Sequence, residues 1–399
     1  MDLNNDPSPW RKRFLLFVAA VCCLSIAGGI FESTFNNFLI ETFNITAKER
    51  GALEFPRELP GFLVAVFAGA LFFLTDTRMA ALAALVTALG FLGLAARGEA
   101  YSFMLLAMVV QSAGAHLFMP LQSSIALSLA GGNRAGTLMG RIGGYSTLAV
   151  IGGCGIVWLG MQYLHLDYPI IFGLATISAT CAAVLLFKIQ PASSSATDRR
   201  RPRFVWRRAY SLYYVLCILF GARKQVFLTF GPLVLITVFG QPASSIAKLI
   251  IVASVLGIAF KPALGWMIDR LGERFVLMAD AFMLIGVCLG YGFGRNILPA
   301  PYALFLAYGC FVMDMLLFAM DMARAVYLDK IAQKRDDVAP TLTLGVSIDH
   351  TVSMSIPALG GLVWVVYGYQ WVFAGAAGVA LVTLVAASLI RVPQNRVSI

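Results

Sequence analysis

Long apolar runs constrain this chain more than any other feature. Stretches of about twenty residues or more occupy 14–40, 48–74, 78–96, 101–129, 138–161, 168–187, 210–238, 244–268, 275–293, 300–328, 341–366 and 369–390. A helix needs about twenty apolar residues to cross the hydrocarbon of a bilayer. No water satisfies a free backbone there, so only helices and closed barrels span it. These runs are continuous and lack the ten-residue alternation of barrel strands. The expected fold class is all-α integral membrane, with twelve transmembrane helices. Composition agrees: 13% of residues are charged, against about 25% in soluble domains.

The net charge is +10, but the cations lie mostly between the runs, where they report topology rather than nucleic-acid binding. With the N-terminus inside, the inner segments carry Arg11, Lys12, Arg13, Arg78, Arg134, Arg199, Arg200, Arg201, Arg270, Arg274, Lys330, Lys334 and Arg391. The outer ones carry little beyond Lys48, Arg50, Arg97 and Arg295. Both termini are therefore expected in the cytoplasm, and the chain in the cytoplasmic (inner) membrane as a multi-pass monomer. The first run far exceeds a signal-peptide core and reads as a span that stays. No connection reaches thirty residues, which leaves no room for a soluble domain. There is no P-loop, HExxH or GxSxG. The seven cysteines sit inside apolar runs without a C-x-x-C pair, as small buried hydrophobes do. No enzyme activity, cofactor or metal is expected.

The longest break, "KIQPASSSATDRRRPRFVWRRA" at 188–209, falls at the midpoint. Weak repeats flank it. "GIFESTFNNF" (29–38) aligns without gaps on "GARKQVFLTF" (221–230), and "GGCGIVW" ending at Trp158 resembles "ALGGLVW" ending at Trp364. These matches divide the chain into a six-helix bundle at 1–187, a basic cytoplasmic linker at 188–209 and a second, pseudo-symmetric bundle at 210–399.

The connection after the eighth run reads "GWMIDRLGERFVL". Gly265, Asp269, Arg270, Gly272 and Arg274 fit G-x-x-x-D-R-x-G-x-R/K, and the chain resembles the major facilitator superfamily over essentially its whole length. Physically, Gly265 would let two helices approach and Gly272 would let a tight turn form. Asp269 would accept hydrogen bonds from helix-end N–H groups, and Arg270 and Arg274 would pair with carboxylates or headgroups. The resemblance implies that this cluster is a gating latch. The first-half copy, "GALFFLTDTRMAAL", keeps Asp76 and Arg78 but loses the glycine spacing. "SIPALGGLVWVVYGYQWVF" resembles the family's eleventh-to-twelfth junction. The fifth run, "MGRIGGYSTLAVIGGCG", lacks the proline of the antiporter signature, so export is not inferred from it.

Charges inside the spans are the candidate functional residues, because each costs ~2.5–3.5 kcal/mol at depth on insertion scales. Arg223 and Lys224 lie side by side in the seventh run, followed by Gln225. In the first run, Glu32 occupies the repeat position of Lys224 and is a candidate counter-charge, with Asn36 and Asn37 on its polar stripe. The second run begins "KERGALEFPRELPGFL": either Glu54, Arg57 and Glu58 lie in the outer half of the membrane, or the span starts at Leu59 and they are loop charges. The fourth run holds Gln111, His116 and Gln122; His116 is a hydrogen-bonded core residue or a proton relay. In the tenth run Asp314 and Asp321 are seven apart, hence expected on one helix face, with Arg324 in pairing reach of Asp321. Asp314 has no local partner and is the best protonatable candidate. Asp349 and His350 point apart in the eleventh run. Lys261 and Asp280 read as rim residues that snorkel.

In the family, the first, fourth, seventh and tenth spans line the cavity, and the polar load falls on those spans. The resemblance therefore implies a secondary active transporter of a small organic solute, working by alternating access. Arg223, Lys224, Gln225, Glu32, Asn36, Asn37 and Gln122 are the expected substrate-binding residues, with an anionic or zwitterionic solute suited to the cations. Asp314, Glu32, His116 and Asp321 are the expected proton-coupling residues. Two rivals stand beside this reading: a proton-driven exporter of amphipathic or cationic compounds, in which the cations pair with the protein's own carboxylates, and a non-transporting membrane sensor or assembly factor.

Overall fold

The computed structural model describes residues 8–63, 74–130, 135–189, 206–334 and 337–392. Its helices are α1 (Ser8–Phe43), α2 (Ala47–Phe62), α3 (Asp76–Arg97), α4 (Tyr101–Ala130), α5 (Ala135–Tyr163), α6 (Tyr168–Lys188), α7 (Ser211–Leu233), α8 (Ala243–Ile297), α9 (Ala300–Leu317), α10 (Met322–Ile331), α11 (Val338–Tyr367) and α12 (Tyr369–Ser388). Among the described residues, ten helical stretches are long and apolar enough to cross a membrane. The second expected span is helical from Ala47 through the Glu54–Glu58 charges, so these are not loop charges; its remainder, 64–73, lies outside the described residues, as does most of the 188–209 linker.

Three expected runs depart from simple helices. α8 has 55 residues, far more than one crossing needs. It breaks at Gly272, where φ is +82° and ψ 161°. An L side chain rarely adopts that backbone, so glycine is required there, and the two arms match the eighth and ninth runs. In α7, Pro232 lacks an N–H and leaves a carbonyl one turn back without its helical partner. The chain then widens into a π-turn at Val234–Val238, and Arg295 donates to the Val238 carbonyl at 3.1 Å. The tenth run is interrupted by a 3-10 turn, Phe318–Asp321, between α9 and α10.

The chain divides into two compact units. The first takes in described residues of Met1–Asn44, Leu59–Arg199 and Pro242–Ser254; the second those of Ile45–Glu58, Arg200–Gln241 and Val255–Ile399. In the first, α3 packs on α4 and α6, and α1 on α5 and α6. Small residues make the contacts. A Cβ on Gly29 would stand 2.6 Å from the Val150 carbonyl oxygen, and one on Gly153 would collide with the backbone of Ile26. α3 buries Ala80, Ala83, Ala84 and Ala88 and turns Leu85, Leu89 and Leu92 outward. Small inside and large outside is the pattern of a helix whose outer solvent is lipid. Polar ties complete the unit: Ser25 pairs with Ser146 at 2.7 Å, and Tyr168 donates to Glu41 at 2.7 Å.

In the second unit, α7 packs against α11 and α12. Gly221 makes room for α11, because a Cβ there would meet Asp349 Oδ1 at 2.7 Å. At the start of this unit, Arg207 Nε pairs with Asp337 at 2.7 Å, Tyr210 donates to the same carboxylate at 3.0 Å, and the Gln333 N–H donates to Tyr210 at 2.9 Å. Burial opposes the charge of Asp337, yet the bonds from Arg207 and Tyr210 hold its carboxyl below the usual carboxylate range.

A buried charge cluster as candidate functional site

Three consecutive residues of α7 reach four carboxylates on four different stretches of helix. Successive helix residues are rotated by about 100°, so Arg223, Lys224 and Gln225 cannot face the same partner. Arg223 Nη1 donates to both oxygens of Asp280, on the second arm of α8, at 3.0 and 2.9 Å. Its Nη2 lies 3.6 Å from Asp314 Oδ1 on α9. Lys224 donates to Asp349 Oδ2 on α11 at 3.1 Å, and Ser353 donates to the other oxygen at 3.3 Å. Gln225 donates to Glu54 on α2.

Apart from Lys224, which is half-buried, this cluster is buried. Arg223 and Asp280 are each 5% exposed, Glu54 and Gln225 0%. Glu54 anchors a ladder along one side of α2: it accepts from Arg50 and from Arg57, the latter at 2.7 Å, and Arg57 also pairs with Glu58 at 2.7 Å. His350 Nδ1 lies 3.0 Å from Glu58. Buried charges without partners would be prohibitive; the ladder alternates signs, and Arg50 with Arg57 balances Glu54 with Glu58. The Arg223 group does not balance. One guanidinium faces two carboxylates, which leaves one negative charge if both are ionised. Nor are its hydrogen bonds complete: among the described residues, Arg223 Nε and Nη2 and Asp314 Oδ1 have no hydrogen-bond partner.

Several expectations are corrected. Asp280 is not a rim residue: it is the principal partner of Arg223, whereas Lys261 is exposed as expected. Asp314, which has no cation within reach on its own helix, has Arg223 of α7 beside it. A 3-10 turn, Phe318–Asp321, separates Asp314 from Asp321 and rotates the second acid by a few tens of degrees relative to a continuous α-helix. Asp321 turns to Arg324, 2.6 Å away, and Arg324 lies over the Phe220 ring at 4.3 Å. Of the gating residues, Gly272 makes the break, but a Cβ on Gly265 would meet open space, so among the described residues no helix packs closely there. Asp269, Arg270 and Arg274 are exposed; Arg270 lies over Trp266 at 5.2 Å. The buried acid of that stretch is Glu273, paired with Lys330. In the first-half copy, Asp76 accepts from Ser124, and Arg78 donates to the Phe187 carbonyl at 2.8 Å.

The remaining candidates belong to the first unit. Glu32 is exposed on α1; Asn36 and Asn37 are buried, and Asn37 donates to Glu41 at 3.2 Å. On α4, His116 Nδ1 contacts the Ser112 carbonyl at 2.9 Å, and its ring lies against Gly61. Gln122 is half-buried beside a cleft in this unit. Sequence reasoning read Asp280 as a rim residue and Glu54 as either a charge at membrane depth or a loop charge, and placed neither among the binding residues. A lone acid in "LMADAFML" was the available signal for the first, since an ionisable residue inside an apolar run implies a partner.

Helices with lipid-facing stripes around a buried ion network define a multi-pass membrane protein. The family model of the Major Facilitator Superfamily matches residues 17–339, and the chain belongs to that superfamily. Solved structures share the fold at low identity. A point mutant of the nucleoside transporter NupG superposes with a TM-score of 0.80 at 14% identity, covering 95% of this chain and 99% of that one. A D-xylose–proton symporter gives 0.70 at 14%, covering 96% and 98%. A bacterial homologue of the human lysosomal transporter Spinster, inward-facing and occupied, gives 0.72 at 12%, covering 97% of each. No curated protein matches by sequence.

Proposed function

We propose that the chain is a proton-coupled secondary transporter of a small organic anion or zwitterion, with Arg223 as the cargo's anchor. The observation that carries this reading is the incomplete coordination of Arg223: a buried guanidinium with two nitrogens lacking hydrogen bonds, between two acids that together outnumber it. A single proton on that pair of acids makes the group neutral. Asp314 takes the proton, because its 3.6 Å contact is the weaker of the two. A protonated Asp314 no longer holds Nη2, whose donors then suit a carboxylate on the cargo. The neighbours support a soluble, polar cargo, since their names include nucleoside and peptide transporters and a sugar–proton symporter. The reading includes twelve spans in two six-helix bundles joined by the 188–209 linker, both termini in the cytoplasm, and a monomer in the inner membrane.

One observation favours a second reading, proton-driven export of cationic compounds. Arg223 and Lys224 both have protein carboxylates as neighbours, as that role requires. Proteoliposomes with an imposed pH gradient separate the two. Under the first reading an organic acid accumulates, and Asp314→Asn abolishes uphill accumulation while exchange continues. Unchanged accumulation by that variant rules out Asp314 as the proton site. Gradient-driven movement of cationic dyes, with no response to any acid, selects the second reading.

A further inference from the structure

The first unit contains a cleft that the charge cluster does not explain. It has a volume of about 170 Å³, is partly open and is lined by α1, α3 and α4. Its polar lining is Ser25, Thr87, Gln111 and Gln122 and its aromatic lining Phe91 and Phe118, and among the described residues no charged side chain lines it. Ser25 and Thr87 are already bonded, to Ser146 and to the Ala83 carbonyl. Gln111 is different. It is 7% exposed, and among the described residues its amide makes no hydrogen bond, although a buried amide normally finds one. Its backbone is fixed by Gly90 of α3, where a Cβ would collide with it. The adjacent glycines of α1 divide their tasks. Gly29 packs against Val150, while Gly28 lines the cleft and has nothing within 4 Å of where its Cβ would stand. The open volume is thus a feature of two elements, not a packing fault at one side chain.

We propose that this cleft binds an uncharged, planar ring bearing an N–H beside a C=O, of the lactam or carboxamide kind, as the neutral moiety of the cargo. The role as cargo subsite rests on the transporter reading; the binding itself does not. An apolar cavity of about 150 Å³ accommodates benzene, so this one has room for a single six-membered ring. A glutamine amide presents a donor and an acceptor side by side, which pair with a matching edge through two bonds, as glutamine does with adenine. An ionised ligand would meet no counter-charge in the lining.

The test uses the purified full-length protein and 2-pyridone, with benzene lacking the edge and benzoate carrying a charge as controls. At this size a dissociation constant on the order of 1 mM is expected, read by saturation-transfer NMR and calorimetry. Gly28→Leu fills the cleft and abolishes 2-pyridone binding. Gln111→Leu weakens it about tenfold, to the level of benzene, and unfolds at the same or a higher temperature than wild type, because it removes an amide without a partner. The proposal is overturned if 2-pyridone fails to bind wild type, binds no better than benzoate, or binds Gly28→Leu or Gln111→Leu unchanged. Solute-driven proton flux in proteoliposomes is scored separately. Flux without 2-pyridone binding discards the subsite and keeps the transporter; binding without flux for any solute does the reverse.

Discussion

Arg223 stands between two acids, and the consequence can be measured at that residue. Removing one partner of a buried ion pair costs about 3–5 kcal/mol, mostly for the charge left behind. Arg223→Gln leaves two acids, Asp280 and Asp314, without their cation. It should therefore lower the unfolding temperature, and adding Asp280→Asn should restore most of the loss. Thermal unfolding of the single and double variants in detergent measures the coupling; strict additivity of the two effects would show that the pair carries no interaction energy. Arg223→Lys is not a neutral replacement, because a compact ammonium lacks the planar fork that sets Nη1 on Asp280 and Nη2 toward Asp314. The partnership itself was not legible in the sequence. Asp280 lies 57 residues from Arg223, and near the end of an apolar run a lone acid reads as a rim residue. What was legible was the cost of Arg223 and Lys224 inside an apolar run, which demanded carboxylates somewhere.

The helical elements were easier to read than their interruptions. Length and apolarity fix where a helix must be, and the expected runs overlap α1, α3 to α7, both arms of α8, and α9 to α12. The 3-10 turn at Phe318–Asp321 and the π-turn at Val234–Val238 arise from packing and from the backbone group freed by Pro232, which hydropathy does not register. The motif glycines show the same limit. Gly272 sits at φ +82° and Gly265 in open helix. Gly272→Ala should destabilise by about 1–3 kcal/mol, whereas Gly265→Ala should be neutral or stabilise by up to about 1 kcal/mol. Denaturant titration of both variants checks the opposite signs. The tie between residues 206–210 and the α10–α11 connection gives a pH prediction. The carboxyl of Asp337 is held below its usual range, so its contribution is complete above the unfolded value near 3.9 and disappears as pH falls through the folded value. Limited proteolysis near Arg207, followed from pH 6 to pH 3, should accelerate at the acid end in wild type. In Asp337→Asn it should already be fast at pH 6; equal profiles would remove the tie from the account.

At the scale of the whole molecule the two units differ in chemistry. The second carries the buried ions of α2, α7, α8, α9 and α11; the first offers a charge-free cleft and hydroxyl ties. Neither difference fixes how the chain is threaded through the membrane, which depends on the cations between spans. Lys and Arg near span ends resist translocation, whereas Asp and Glu contribute little. Arg11, Lys12 and Arg13 precede α1, Arg207 and Arg208 precede α7, and Arg391 follows α12. Asn44, Asp167 and Leu298 lie in segments with few cations. Single cysteines placed in a cysteine-free variant turn this asymmetry into a topology. Cysteines at Asn44, Asp167 and Leu298 should react with an impermeant maleimide in intact cells, whereas those at Trp10, Arg208 and Arg391 should react only after permeabilisation. Labelling Trp10 and Arg391 from opposite sides would require an odd number of crossings. The crossing to suspect would then be the second, since its 64–73 portion lies outside the described residues and its described helix carries the Arg50–Glu58 ladder. An even count, with that ladder at membrane depth, obliges the cell to insert two acids and two arginines together. Their one-to-one pairing is what makes that insertion energetically feasible.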